Sequence, residues 1–142
     1  MEEGFNIRIV EQPDKAFWGT IGQGLRNFNT EQAGDDKIKE LSVALYSPGG
    51  ELVGGVIAET YWEWLYINVM WVQQGLRGKG YGEQLLKRTE EEAKKRGVRH
   101  AYLDTFSFQA PGFYEKNGYS VFGKLLDFPP GHERYFYHKD LH

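Results

Sequence analysis

The chain has 142 residues, 40% of them apolar, and a formal net charge of −3 from 17 basic and 20 acidic side chains. Such a length fits a single domain over residues 1–142 with a sizeable core, and the acidic balance removes any general attraction to nucleic acid or anionic membranes. The lack of cysteine excludes disulfides, thiol nucleophiles and thiolate metal sites. With a start, Met1-Glu2-Glu3-Gly4, that has neither a basic nor an apolar leader region, this is the composition expected of a cytoplasmic protein.

Ile7 to Glu11 reads as a short first strand stopped by Pro13. Phe17, Trp18, Ile21, Leu25 and Phe28 then recur at helical spacing. Gly19, Gly22 and Gly24 weaken that segment by about 1 kcal/mol each relative to alanine, so one mobile helix or two short ones are expected. Ile38 to Tyr46 and Glu51 to Thr60 form a hairpin around Ser47-Pro48-Gly49-Gly50, and a tight connection at Tyr61-Trp62-Glu63 leads into Trp64 to Val72. This third strand of a meander is almost wholly β-branched or aromatic, which suits burial on both faces.

Gly82 to Arg96 is the clearest helix, with Leu85, Leu86, Thr89 and Ala93 on one face. Glu90, Glu91 and Glu92 each stand four residues before Lys94, Lys95 and Arg96, a favourable order on a helix surface, and Gly97 takes the position after its end. His100 to Thr105 follows as a strand, and a strand–helix–strand connection of this length implies parallel pairing with 64–72. Ala110 to Asn117 reads as a short helix between Pro111 and Gly118. Two strands, Tyr119 to Leu126 and Glu133 to Lys139, close the chain around Pro129-Pro130-Gly131.

Between the third meander strand and the best helix lies Gln73-Gln74-Gly75-Leu76-Arg77-Gly78-Lys79-Gly80-Tyr81-Gly82. A glycine-rich loop feeding a helix N-terminus aims unpaired N–H groups at one point and suits a phosphate, to which Arg77 and Lys79 add charge. The plain alternative is a chain reversal, which needs fewer glycines and no cations. No Gly-Lys-Ser/Thr follows, which excludes a Walker A loop, and Gly78, Gly80 and Gly82 give G-x-G-x-G in place of the dinucleotide G-x-G-x-x-G.

Arg77-Gly78-Lys79-Gly80-Tyr81-Gly82 resembles the R/Q-x-x-G-x-G/A motif of the GNAT superfamily of N-acetyltransferases, and Ala110 through Tyr119 resembles that family's A-x-x-x-Y-x-x-x-G-F/Y segment. The resemblance covers about 130 residues and implies a mixed α/β (α+β) fold. Its sheet would have six to seven mostly antiparallel strands with a parallel splayed pair in the middle, beside about four helices. It implies acetyl coenzyme A, with its pyrophosphate on the amides of Arg77, Gly78, Lys79, Gly80, Tyr81 and Gly82 and its pantetheine arm along Trp71, Val72 and Gln73. Ser107 stands where many relatives carry Asn and is expected to bond a pantetheine amide or cap the next helix.

By the same resemblance Tyr114 is the general acid, a phenol able to protonate a leaving thiolate. A backbone N–H near Val72 would serve the oxyanion. The base is not fixed: Tyr66 and Asn68 occupy the row where relatives place Glu, which leaves Glu59, Glu63 and Asp104 at nearby strand ends. His100, His132, His138 and His142 show no metal-ligand spacing.

The reaction so implied is acetyl transfer from acetyl coenzyme A to a primary amine of a small molecule or peptide, with a cationic acceptor favoured by the acidic balance. Trp18, Phe28, Tyr61, Trp62, Trp64 and Tyr66 could meet it with their π faces or simply pack. Two alternatives stand: a non-catalytic acetyl-coenzyme A-binding module that lost its base, and a nucleotide binder. The final strand, Arg134 to His138, reads as an edge through which two copies could pair as a homodimer.

Overall fold

The computed structural model describes residues 4–142; residues 1–3, on which part of the expectation about a leader rests, lie outside them. The chain divides into two compact units, Met1–Asp36 and Lys37–His142.

The first unit holds one α-helix, α1 (Lys15–Ala33). Asp14 caps it, its Oδ1 accepting from the Phe17 N–H at 2.8 Å, and Gly34, at φ 83°, closes it with an N–H bond to the Thr30 carbonyl. Of the two expected alternatives the helix is the single one and not two short pieces, because its three glycines lower propensity without removing a backbone hydrogen bond. The expected strand at Ile7 to Glu11 is irregular: no strand among the described residues pairs with it, and without a ladder nothing holds those residues extended.

The second unit is a six-stranded sheet of β1 (Lys39–Tyr46), β2 (Leu52–Tyr61), β3 (Trp64–Val72), β4 (His100–Phe106), β5 (Ser120–Leu126) and β6 (Glu133–Asp140). Two helices accompany it, α2 (Tyr81–Lys95) and α3 (Pro111–Lys116). Three α-helices thus lie among the described residues where about four were expected; a single 3₁₀ turn, Gln74–Leu76, accompanies them. The strand order is β1-β2-β3-β4-β6-β5, antiparallel throughout except for the central β3–β4 pair. β6 is therefore an inner strand and not the expected edge, since the chain returns to lay it between β4 and β5; the free edges belong to β1 and β5.

Leu65 and Ile67 of β3, Ala101 and Leu103 of β4, and Leu86 and Ala93 of α2 form the buried centre. β3 is covered on one face, not two: Val69 and Trp71 are about half exposed. A β-bulge explains the change, since Ile57 pairs with Val69 and Ala58 with Ile67, leaving Asn68 as an extra residue. Beyond it Met70 and Val72, rather than the odd-numbered positions, pack on the core.

Candidate active site

β3 and β4 pair at only four positions, from Trp64–His100 to Ile67–Leu103, and then part. Past this point β3 stays paired with β2 as far as Val72 and β4 with β6 as far as Phe106, so the two strands open a fork in mid-sheet. The bulged Asn68 stands at its root, where the added twist turns β3 away from β4.

The Gln73 N–H bonds the Val53 carbonyl at 2.8 Å, on the β2 side. By strand alternation the N–H and carbonyl of Val72 face the fork. The carbonyl is taken by Arg77, whose Nε donates to it at 2.8 Å, so Arg77 ties the glycine loop to the strand end as well as carrying charge. The Val72 N–H is left facing the gap.

In the loop, Gly78 and Gly80 sit at φ 76° and 88°, a backbone that side-chain-bearing residues rarely adopt. Gly80 is also the N-cap of α2 and brings no capping side chain, so the amides of residues 78–82 have no backbone acceptor among the described residues. Together with the exposed Lys79 they form a cradle open to an anion at the mouth of the fork, which fits the pyrophosphate of acetyl coenzyme A. Trp71 is half exposed beside it and Gln73 is exposed.

Tyr114 lies on α3 with its ring against Phe113, Tyr119 and Tyr137. Gly82 of α2 comes close to both Phe113 and Met70, which brings α3 to the diverging end of β3. Burial, and then the Asp104 carboxylate, raise the Tyr114 phenol above its ordinary value, so it is protonated at neutral pH.

Asp104 is the first residue of β4 past the last paired position. Its Oδ1 accepts from Arg134 Nε and Nη2, both at 2.8 Å, and the Arg134 guanidinium lies 5.1–5.4 Å from the ring centres of Phe106, Phe128 and Phe136. Tyr66 is also raised, by burial first and then by Asp104, with Arg134 opposing. Glu59 pairs with Tyr66 across the β2–β3 ladder. The row that lacks a carboxylate in sequence thus acquires two from neighbouring strands.

Tyr66 stacks on Tyr102 at 4.8 Å, Tyr102 meets Trp64 edge-on at 5.8 Å, and the Tyr61 and Tyr102 hydroxyls share a hydrogen bond. These rings border a cavity of about 550 Å³ lined by Tyr61, Trp62, Trp64, Tyr102, Phe122 and His138. Trp18 and Phe28 lie on α1, in the other unit.

Two expected site residues lie differently. Glu63 sits in the turn that opens β3, at the end opposite the fork, with its carbonyl accepting from the Arg99 N–H. Ser107 does not cap α3: its Oγ accepts from the Glu133 N–H at 3.0 Å while its own N–H bonds the Glu133 carbonyl, and the N-cap of α3 is Ala110, with no side-chain bond. Arg134 escaped the sequence reading because its partner is thirty positions away and only the β4–β6 register joins them. No cluster able to hold a metal ion and no helix long and apolar enough to cross a membrane occurs among the described residues.

Residues 11–119 match the model of the Acetyltransferase (GNAT) family. Blasticidin-S acetyltransferase of Streptomyces morookaense is 39% identical over 101 residues, 69% of this chain and 74% of that protein. The crystal structure of an acetyltransferase from Bacillus cereus superposes with a TM-score of 0.86 at 34% identity, covering 94% of this chain and 98% of that one. A Bacillus anthracis protein described as a streptothricin acetyltransferase, solved with acetyl coenzyme A, gives a TM-score of 0.65 at 18% identity over 72% of this chain and 63% of its own, a likeness of fold.

Proposed function

Because the chain belongs to the acetyltransferase (GNAT) family, we propose that it moves the acetyl group of acetyl coenzyme A to the amine of a cationic small molecule, with Tyr114 as general acid and Asp104 as proton acceptor. The observation that carries the reading is the β3–β4 fork: the glycine loop follows the end of β3, the Val72 N–H faces away from β2, and Asp104, the first unpaired residue of β4, is near enough to raise Tyr114. When bound, acetyl coenzyme A supplies an activated acetyl thioester. The amides of residues 78–82 hold its pyrophosphate, Trp71, Val72 and Gln73 flank its arm, and the Ser107 hydroxyl keeps its proton to donate to it.

Asp104 takes the proton of the incoming ammonium, directly or through one water, leaving the nitrogen its lone pair. As the C–N bond forms the Val72 N–H would bond the carbonyl oxygen. As the C–S bond breaks Tyr114 would give its proton to sulfur, and the second N–H proton, made acidic by acylation, would pass through water to the Tyr114 phenolate, leaving a neutral amide and a free thiol. Burial and Asp104 keep the Tyr114 phenol protonated before transfer, although they also make it a weaker acid toward sulfur.

A cationic acceptor is supported by Glu59 and Asp104 around Tyr66 and by the aromatic cavity beyond it. The relative named for blasticidin-S supports a small molecule over a peptide. The cytoplasm remains the proposed compartment, supported by the cysteine-free composition. The test is release of free thiol from acetyl coenzyme A with polyamines, aminoglycosides, amino acids and peptides. Turnover with cationic small amines is expected. Tight acetyl coenzyme A binding with no transfer to any amine would make the chain a binding module instead.

A further inference from the structure

α3 is six residues long, packs Phe113 and Tyr114 on the core without burying any residue fully, and lacks an N-terminal side-chain cap. A helix that short has no stability of its own, so the place of Tyr114 is decided by what holds α3. Its C-terminal end runs into a buried polar cluster. Glu90 of α2 is 7% exposed, and its carboxylate accepts from the Tyr119 hydroxyl at 2.7 Å and from Lys139 Nζ at 2.9 Å. Lys139 reaches from β6 and also donates to the Asn117 carbonyl at 2.8 Å, just past the helix end. Asn117 Nδ2 in turn donates to the Phe113 carbonyl, and the Tyr119 N–H bonds the carbonyl of Tyr114 itself.

The cluster leaves little slack. Lys139 Nζ lies 5.3 Å from the centre of the Tyr119 ring. A Cβ on Gly118, at φ 90°, would stand 3.3 Å from Lys139 Cε, so glycine at this place lets the lysine pass under the turn. A second tie, the Tyr137 hydroxyl donating to Glu115 at 3.0 Å, anchors the solvent side of the same helix.

An ion pair buried to this degree contributes little net stability when replaced by a well-packed neutral pair, and its cost is borne where uniqueness of position matters. We infer that Lys139 and Glu90 are positioning residues for Tyr114, fixing the α3 C-terminus so that the phenol faces the fork. The inference rests on the reading of Tyr114 as general acid.

The experiment compares Glu90→Gln/Lys139→Met and the milder Glu90→Gln with the parent and with Tyr114→Phe, reading kcat, the acetyl coenzyme A KM and the thermal midpoint. The double variant removes both charges together and keeps the Tyr137–Glu115 tie, which preserves the fold. Its kcat is expected to fall between about 10-fold and 100-fold, the scale of a misplaced catalytic group, with KM within about twofold and a smaller kcat loss for Glu90→Gln. In the Tyr114→Phe background the double change should lower kcat no further, because its target is gone. A kcat unchanged by the double variant, or an equal loss in both backgrounds, overturns the inference. If Tyr114→Phe itself keeps full turnover, the acid assignment fails and this inference with it. If Tyr114→Phe is inactive and the pair variant fully active, only the positioning role is lost.

Discussion

Along β3 and β4, the four paired positions and the diverging ones after them use similar residues to opposite ends. In the paired stretch Leu65, Ile67, Ala101 and Leu103 are buried on one side, while Trp64, Tyr66 and Tyr102 stack on the other. Past the bulge the strands turn their backbone groups to each other without bonding, and polar atoms collect there: the Val72 N–H, Asp104 with Arg134, and Tyr114. One end spends its backbone hydrogen bonds on pairing β3 with β4, whereas at the other the Val72 carbonyl and Asp104 turn to arginine side chains and the Val72 N–H faces the gap.

That contrast predicts separable defects. Tyr114→Phe, at the open end, should lower kcat by about 10² to 10⁴-fold while leaving acetyl coenzyme A affinity and urea stability near the parent. An active Tyr114→Phe enzyme would move the acid elsewhere. Leu65→Ala, at the paired end, should cost about 2–5 kcal/mol in urea unfolding without changing the kcat of the folded protein, and a kcat loss larger than the unfolded fraction would erase the contrast. Gly80→Ala tests the loop between these ends. Its Cβ would meet only Gln84 Nε2, at 4.0 Å, so the penalty is the left-handed backbone, about 1–2 kcal/mol. Relaxation out of that conformation turns the cradle amides away and should weaken acetyl coenzyme A about tenfold by calorimetry; unchanged affinity would show that the amides do not hold it.

Legibility in the sequence followed how local each signal was. α2 was readable from Leu85, Leu86, Thr89 and Ala93, all of them buried, and the loop from its own glycines, although only Gly78 and Gly80 use positive φ. The short parallel pairing of β3 with β4 followed from the helix between them. Glu90 was misread as a surface partner for Lys94 because its true partners, Tyr119 and Lys139, arrive from far along the chain. Of the three expected acid–base pairs on α2, only Glu92–Arg96 forms, at 3.9 Å. The inner position of β6 was likewise invisible, since strand order depends on where the chain returns and not on what the strand contains. Ile7 to Glu11 has the composition of a strand, but a strand exists only where another completes its ladder.

Asn68 acts on β3 as a phase shift. Before it the odd residues face the core and after it the even ones do, so a period-two pattern read straight through the strand adds two half-patterns of opposite phase and looks apolar on both sides. The rule that side chains alternate holds on each side of Asn68 and fails only across it. One added residue therefore opens the fork and also hides it from any reading that does not reset its count there.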